Sequence, residues 1–240
     1  MNWVATWRAT RVSKATALAR AKAKPAIRDA MTRVGGLSAP SKMPGFSYGL
    51  PARAACPVGG KLSKVPGSTC EGCYAAKGNY RYSNVQEAQA RRLAAIAAPS
   101  WVDDMVGAIG AVTEATGEYF FRWHDSGDLQ GARHFAAIQE VARRLPGVRF
   151  WLPTKEFKLV GEWSAPIPGN LVVRVSAAMF DASHPGKALM RPDLVFASAS
   201  TTHRPLPGAK MCPAPKQGGE CGSCRACWSP EVREVTYAKH

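Results

Sequence analysis

"EYFFRWHDSGDLQGARHFAAIQEVARRLPGVRFWLPTKE", Glu118–Glu156, changes its hydrophobic period twice. "EYFFRW" is a short aromatic run bounded by turn residues, the pattern of a buried strand. From about Ala132 to Leu145 the apolar residues Phe135, Ile138, Val141, Ala142 and Leu145 recur at helical spacing, which predicts an amphipathic helix. "VRFWLP" is then a second buried strand. Strand, helix and strand in so short a span predict a βα unit with parallel strands.

Reading outward, "NLVVRVS" and "DLVFAS" predict two further strands. Upstream, Ser83 or Asn84 caps a predicted helix that runs through Ala98 and is ended by Pro99. Ser100 opens another, with Asp103 three residues on as a capping box. The expected class is α/β with a parallel sheet.

The strand ends carry the chemistry. "HDSGD" (His124–Asp128), "TKE" (Thr154–Glu156), "SAA" from Ser176 and "SASTTH" up to His203 each follow a predicted strand. In parallel α/β folds these ends share one rim, where ligands bind. Any one of these groups alone is an ordinary helix cap, but four successive strands delivering polar groups to one rim predict a site. Asp125, Ser126 and Asp128 would bind the polar part of a ligand, with Lys155 pairing a carboxylate or phosphate. His124, whose unperturbed pKa lies near neutrality, is the candidate for proton transfer. Thr154 and Ser176 are expected to help hold a cofactor.

Seven cysteines stand in two sets, an odd number that no intramolecular disulfide scheme uses up. Cys56, Cys70 and Cys73 come first; Cys212, Cys221, Cys224 and Cys227 come last. Two-residue spacings let successive thiolates point into one concave turn. "CxxCxxC" at Cys221–Cys227 is the ferredoxin-type spacing for a [4Fe–4S] cluster, with Cys212 as the remote fourth ligand. Zinc is the alternative metal at either set, although zinc ribbons separate their two "CxxC" pairs more widely. Three thiolates leave one iron of a cuboidal cluster open, whereas four close it. The first set is therefore expected to face a substrate and the last to be closed. Cys212 fits either set, and His124 or His203 is a possible fourth ligand for the first.

Charge is uneven along the chain. The formal net charge is +15, and residues 1–83 hold 14 Lys and Arg against the two acids Asp29 and Glu71. Such a basic leading segment suits phosphate or an acidic partner; its plain alternative is a solvated arm that aids solubility. Trp3, Trp7 and the Ala-rich run to Ala30 are compatible with a helix that Pro25 interrupts. We expect residues 1–44 to form a basic arm or helix and residues 45–240 a single domain. "GGK" at Gly59–Lys61 is no phosphate loop, since Ala55 replaces the first glycine and Leu62 the final hydroxyl. No run approaches the ~18 apolar residues of a membrane span. The N-terminus lacks a secretory signal, so a cytoplasmic protein with reduced thiols and no membrane partner is expected.

"GSTCEGCYAAKGNYRY", "RWHDSGDLQ", "FWLPTKE", "LVVRVSAA" and "CGSCRACW" in that order resemble the uncharacterised phage family called gene product 88, over about residues 45–230. Members are encoded by phages and mobile elements and have no established activity. More distantly, the order of a "CxxCYA" element, a strand ending in Ser-Gly-Asp and a strand ending in "TK" is similar to a phage family related to radical-SAM enzymes. That likeness implies a radical-SAM-like partial parallel (βα) barrel, a [4Fe–4S] cluster on three cysteines and S-adenosylmethionine on the open iron. The spacing departs from that family's "CxxxCxxC", because residues 57–69 separate Cys56 from Cys70.

The resulting expectation is a phage iron–sulfur enzyme, located in the host cytoplasm, acting on a small anionic, nucleotide or nucleic-acid substrate. The rivals are a non-catalytic zinc- or iron–sulfur-stabilised module that binds nucleic acid or a host protein, and an electron carrier.

Overall fold

The structure, a computed structural model, describes residues 12–182, 196–202 and 207–239. Residues 1–11, including Trp3 and Trp7, lie outside the described residues, as do His203 and the first part of the predicted strand "DLVFAS".

Among the described residues, seven strands form one sheet: β1 (Phe46–Tyr48), β2 (Phe120–Trp123), β3 (Arg149–Thr154), β4 (Leu171–Ser176), β5 (Ala197–Thr201), β6 (Lys210–Met211) and β7 (Glu234–Ala238). Their order is β1-β2-β3-β4-β5-β7-β6, and every pairing is parallel. The sheet is open: β1 and β6 form its two edges and do not pair. The expected partial barrel thus appears as an open all-parallel sheet. Both sequence-predicted strands of the opening stretch are present, and α6 (Ala132–Arg144) joins them as expected.

The two faces of the sheet are filled differently. Alternate residues Phe46, Tyr48, Phe121, Trp123, Phe150, Leu152, Val173 and Val175 join the main core with α5 (Trp101–Thr116) and α6. The other face carries Phe120, Arg122, Trp151, Arg174 and Tyr237, and there Trp151 and Val235 pack with Ala226, Cys227 and Trp228 in a second core. A cysteine-rich segment therefore covers this face where a helix layer would otherwise lie.

The basic leading segment is part of the fold. α1 (Lys14–Lys22) and α2 (Pro25–Arg33) pack on α5, burying Ala17, Ala21, Met31 and Val34. Pro25 separates the two helices by taking the first position of α2, where its missing N–H costs no bond. Arg33 grips Asp104 with two bonds of 2.9 and 2.6 Å, tying α2 to α5.

Two helix starts differ from expectation. Ser100 stands at the N-cap of α5, but its backbone is helical and its side chain makes no cap bond, so the capping box does not form. α4 (Ser83–Ala95) has Tyr82, not Ser83 or Asn84, at its N-cap. Among the described residues, no helix is long and apolar enough to cross a membrane.

Candidate functional site

The C-terminal ends of β1 to β4 meet under the loop that carries the first three cysteines. Cys56 stands at the N-cap of α3 (Pro57–Leu62). Thr69 pins the next part of the loop to the end of β4, its N–H donating to Ala178 O at 2.9 Å and its hydroxyl to Ala177 O at 3.1 Å. Further on, the Tyr74 hydroxyl donates to Asp125 O, and the Tyr80 hydroxyl to Asp125 Oδ2 at 3.3 Å.

Asp128 is the joint of this rim. Its N–H donates to Ala55 O, beside Cys56, at 2.8 Å. Its carboxylate accepts from Thr154 Oγ1 at 2.6 Å, Lys155 N at 2.8 Å and Leu129 N at 2.8 Å. Burial pushes this carboxyl up while those donors pull it down. A carboxylate so occupied fixes the end of β3 and with it Lys155, which follows β3 directly.

Lys155 donates from Nζ to Ala177 O at 2.7 Å and lies within electrostatic reach of Cys70, Asp128, Cys73 and Cys56. Burial lowers its pKa, and the neighbouring thiols and carboxyl oppose the shift. The thiols move the other way. Burial pushes Cys56 up to about 12, with Asp128 adding to the effect, and also raises Cys70, which Lys155 counters. Partly buried thiols beside one ammonium are a soft donor set that suits a metal ion.

Glycine at position 59 spares the thiols a crowding side chain. A Cβ added at Gly59 would stand 3.1 Å from Cys56 Cβ, 3.4 Å from Cys70 Sγ and 3.9 Å from Cys56 Sγ, so the missing side chain keeps the volume between two thiols clear. As placed, no three His, Cys, Asp or Glu side chains among the described residues form a ready metal-binding group.

The other predicted rim groups have different surroundings. Ser126 donates to Leu50 O at 2.7 Å and accepts from Gln89 at 2.8 Å, which locks the loop after β2. Gly127 completes that loop at φ +77°, pressed so closely on Leu50 that an added Cβ would lie 2.5 Å from Leu50 Cβ. Thr154 is buried against Asp128, and Ser176 pairs with Ser198 of β5 at 2.9 Å. His124 departs most from expectation. At φ +52° it turns into the helix layer beside His134, with ring centroids 5.3 Å apart. It is 3% exposed, and burial holds its pKa well below the usual histidine range.

The last four cysteines gather separately under the second face. Cys212 lies within electrostatic reach of Cys221 and Cys227, and Cys221 of Cys224. The structure therefore places Cys212 with the C-terminal set. Cys227 sits 3.1 Å from the Tyr237 hydroxyl, and burial pushes its thiol up to about 11. Arg174, fully buried, donates to Cys227 O at 3.0 Å, Ala226 O at 2.7 Å, Ser229 O at 3.0 Å and Val232 O at 2.9 Å.

A family model described as Gene product 88 matches residues 12–230. The chain belongs to the Gene product 88 family. The match takes in both cysteine sets and also α1 and α2, ahead of the residue near 45 where the motif resemblance begins. It does not extend to the radical-SAM-related family. No curated protein and no solved structure matches the chain.

In this Gene product 88 chain a line of side chains joins the two cysteine sets. Tyr74, next to Cys73, accepts from Arg122 at 3.2 Å. The Arg122 guanidinium lies 4.4 Å over the Trp151 ring, and Trp151 meets Trp228, next to Cys227, at 5.1 Å. Sequence reading missed Arg122, Arg174, Tyr74, Gly59 and Trp228. A signal was present for two positions: an arginine inside each of the apolar runs "FFRW" and "VVRV" marks a strand whose second face is not a plain apolar core.

Proposed function

We propose that this Gene product 88 protein is an iron–sulfur protein with an open, three-thiolate site at the sheet rim, acting as an enzyme on a small anionic, nucleotide or nucleic-acid substrate. The observation that carries the reading is that Cys56, Cys70 and Cys73 all lie within electrostatic reach of Lys155, with Gly59 keeping a side chain from between two of the thiols. Soft thiolate donors suit iron–sulfur clusters or zinc. When bound, a [4Fe–4S] cluster would supply one-electron chemistry and an open iron position, which S-adenosylmethionine or another ligand can occupy. The chain's own part is separate. Lys155 pairs an anionic group and offsets thiolate charge, while Asp128 and Thr154 hold Lys155 in place. The rising order of β1 to β5, all parallel, supports reading the sheet as a partial (βα) barrel of radical-SAM-like kind. Reduced thiols suit the host cytoplasm.

A second reading is favoured by the C-terminal set. Cys227 and Trp228 belong to a core, so a metal on Cys212, Cys221, Cys224 and Cys227 is structural, as it would be in a zinc- or iron–sulfur-stabilised binding module.

Anaerobic purification from iron-replete cells tests both readings. We expect iron and acid-labile sulfide in near-equal amounts and broad visible absorption that bleaches on reduction. Stoichiometric zinc without sulfide would sink the iron–sulfur assignment and leave the binding module.

A further inference from the structure

Several surface cations on the helices pair with acids: Arg28 with Asp29, Arg91 with Glu87, Arg143 with Glu140, Arg144 with Asp103 and Lys158 with Glu162. Arg20, Lys22 and Arg133 form no ion pair among the described residues, but in the loop over the rim such cations cluster. Arg53, Lys61, Lys64, Lys77 and Arg81 are all exposed, and among the described residues none forms an ion pair. The one acid of that loop, Glu71, accepts the Gly67 N–H at 2.8 Å. The rim's other acids, Asp125, Asp128 and Glu156, are buried. The loop thus shows solvent five cations against one exposed acid.

The same loop displays aromatic rings. Tyr74 is 52% exposed and Tyr82 62%, and "YAAKGNYRY" interleaves them with Lys77 and Arg81. Between the loop and α4 lies a cleft of about 390 Å³, lined by Pro51, Ala75, Tyr80, Arg81, Gln86 and Gln89. That volume falls in the range of small-ligand pockets.

We infer that this rim loop is a single-stranded nucleic-acid surface, its cations tracking phosphates, its tyrosines stacking bases, and its cleft receiving one base. Stacking platforms interleaved with cations are what sequence-tolerant single-strand binding requires. Gln86 and Arg81, exposed at the cleft, offer donors and acceptors to a base edge. An acidic polypeptide would engage the cations but leave the exposed ring faces unused. The inference draws on the proposed function only in bringing the strand to the thiol site.

The test is fluorescence anisotropy with labelled oligothymidine and oligouridine of about 20 nucleotides, a length that spans one or more single-strand sites. Metal-replete and metal-free protein are both measured, with polyglutamate as competitor. We expect salt-dependent binding, and the tighter of the two oligomers names DNA or RNA. Tyr82→Ala, on an exposed ring, should weaken binding about fivefold or more. Lys77→Gln with Arg81→Gln should flatten the log–log salt dependence by about 1.4, two contacts at about 0.7 each. No binding of either oligomer at low salt overturns the inference. So does polyglutamate that competes equally while Tyr82→Ala binds as the parent does, an outcome that names an acidic polypeptide. Oligomer binding by a protein that carries no iron or sulfide would uphold this surface while removing the iron–sulfur reading. Iron–sulfur protein that ignores both oligomers would do the reverse.

Discussion

His124 and His134 sit edge to face in the helix layer, where, among the described residues, neither ring nitrogen of His124 nor Nε2 of His134 finds a partner. Burial alone brings His134 down to about 4 and holds His124 lower than an ordinary histidine. Both are neutral in the fold at neutral pH. As pH falls below about 6.5 the unfolded chain takes up protons that the folded chain refuses. Their stabilisation is present above that pH and is lost on the way down to about 4, at about 1.4 kcal/mol per pH unit for each ring. Urea unfolding at pH 7.5, 6 and 5 measures the slope. His134→Gln should remove about one ring's share of it below pH 6.5, and an unaltered slope would refute the assignment. The sequence did not disclose this pair. "HDSGD" looks like an exposed strand end, and only the left-handed backbone at His124 shows that its ring turns inward.

At the scale of elements, the two cysteine loops are embedded to different depths. Cys227 and Trp228 belong to the second core, and Trp228 donates its indole N–H to Phe121 O at 2.9 Å. Cys70 is only partly buried, on a loop pinned to strand ends rather than packed between layers. Cys70→Ala and Cys224→Ala are therefore expected to fail differently. The first should lower bound iron yet leave the urea midpoint close to the parent's. If the proposed metal is bound there, the second should cost at least about 2 kcal/mol, because loss of a structural metal belongs with the large destabilisations. If Cys70→Ala keeps the parent's full metal content, the division into three thiols and four is wrong. Elements with a strong period were readable from sequence: β2, β3, β4 and α6 each carry enough buried residues to declare themselves. β1 and β6, three and two residues long, are too short to show alternation. The cysteine spacings proposed the two sets, but the placement of Cys212 with the second depends on the pairing of β6 with β7, which no spacing shows.

For the molecule as a whole, the leading segment's charge drew attention from its packing. Ala17, Ala21, Met31 and Val34 supply small apolar faces that α5 covers, while Arg20, Lys22, Lys24 and Arg28 stay exposed. Removing residues 1–33 should thus abolish cooperative folding rather than trim a solubility arm. Changing Arg20, Lys22, Lys24 and Arg28 to Gln should leave the thermal midpoint within a few degrees, since exposed substitutions usually fall within about 0.5 kcal/mol. A truncated chain that melts like the parent would show that α1 and α2 are dispensable.

The sheet order also fixes a sequence of events in time. β6 is translated before β7, yet in the sheet β7 lies between it and β5. Until residues 234–238 emerge from the ribosome, Lys210–Met211 has no strand beside it and β5 keeps an open edge. Cys212, Cys221, Cys224 and Cys227 are all translated within that interval. The nascent chain thus presents its whole second thiol set before the strand that binds their segment to the sheet exists.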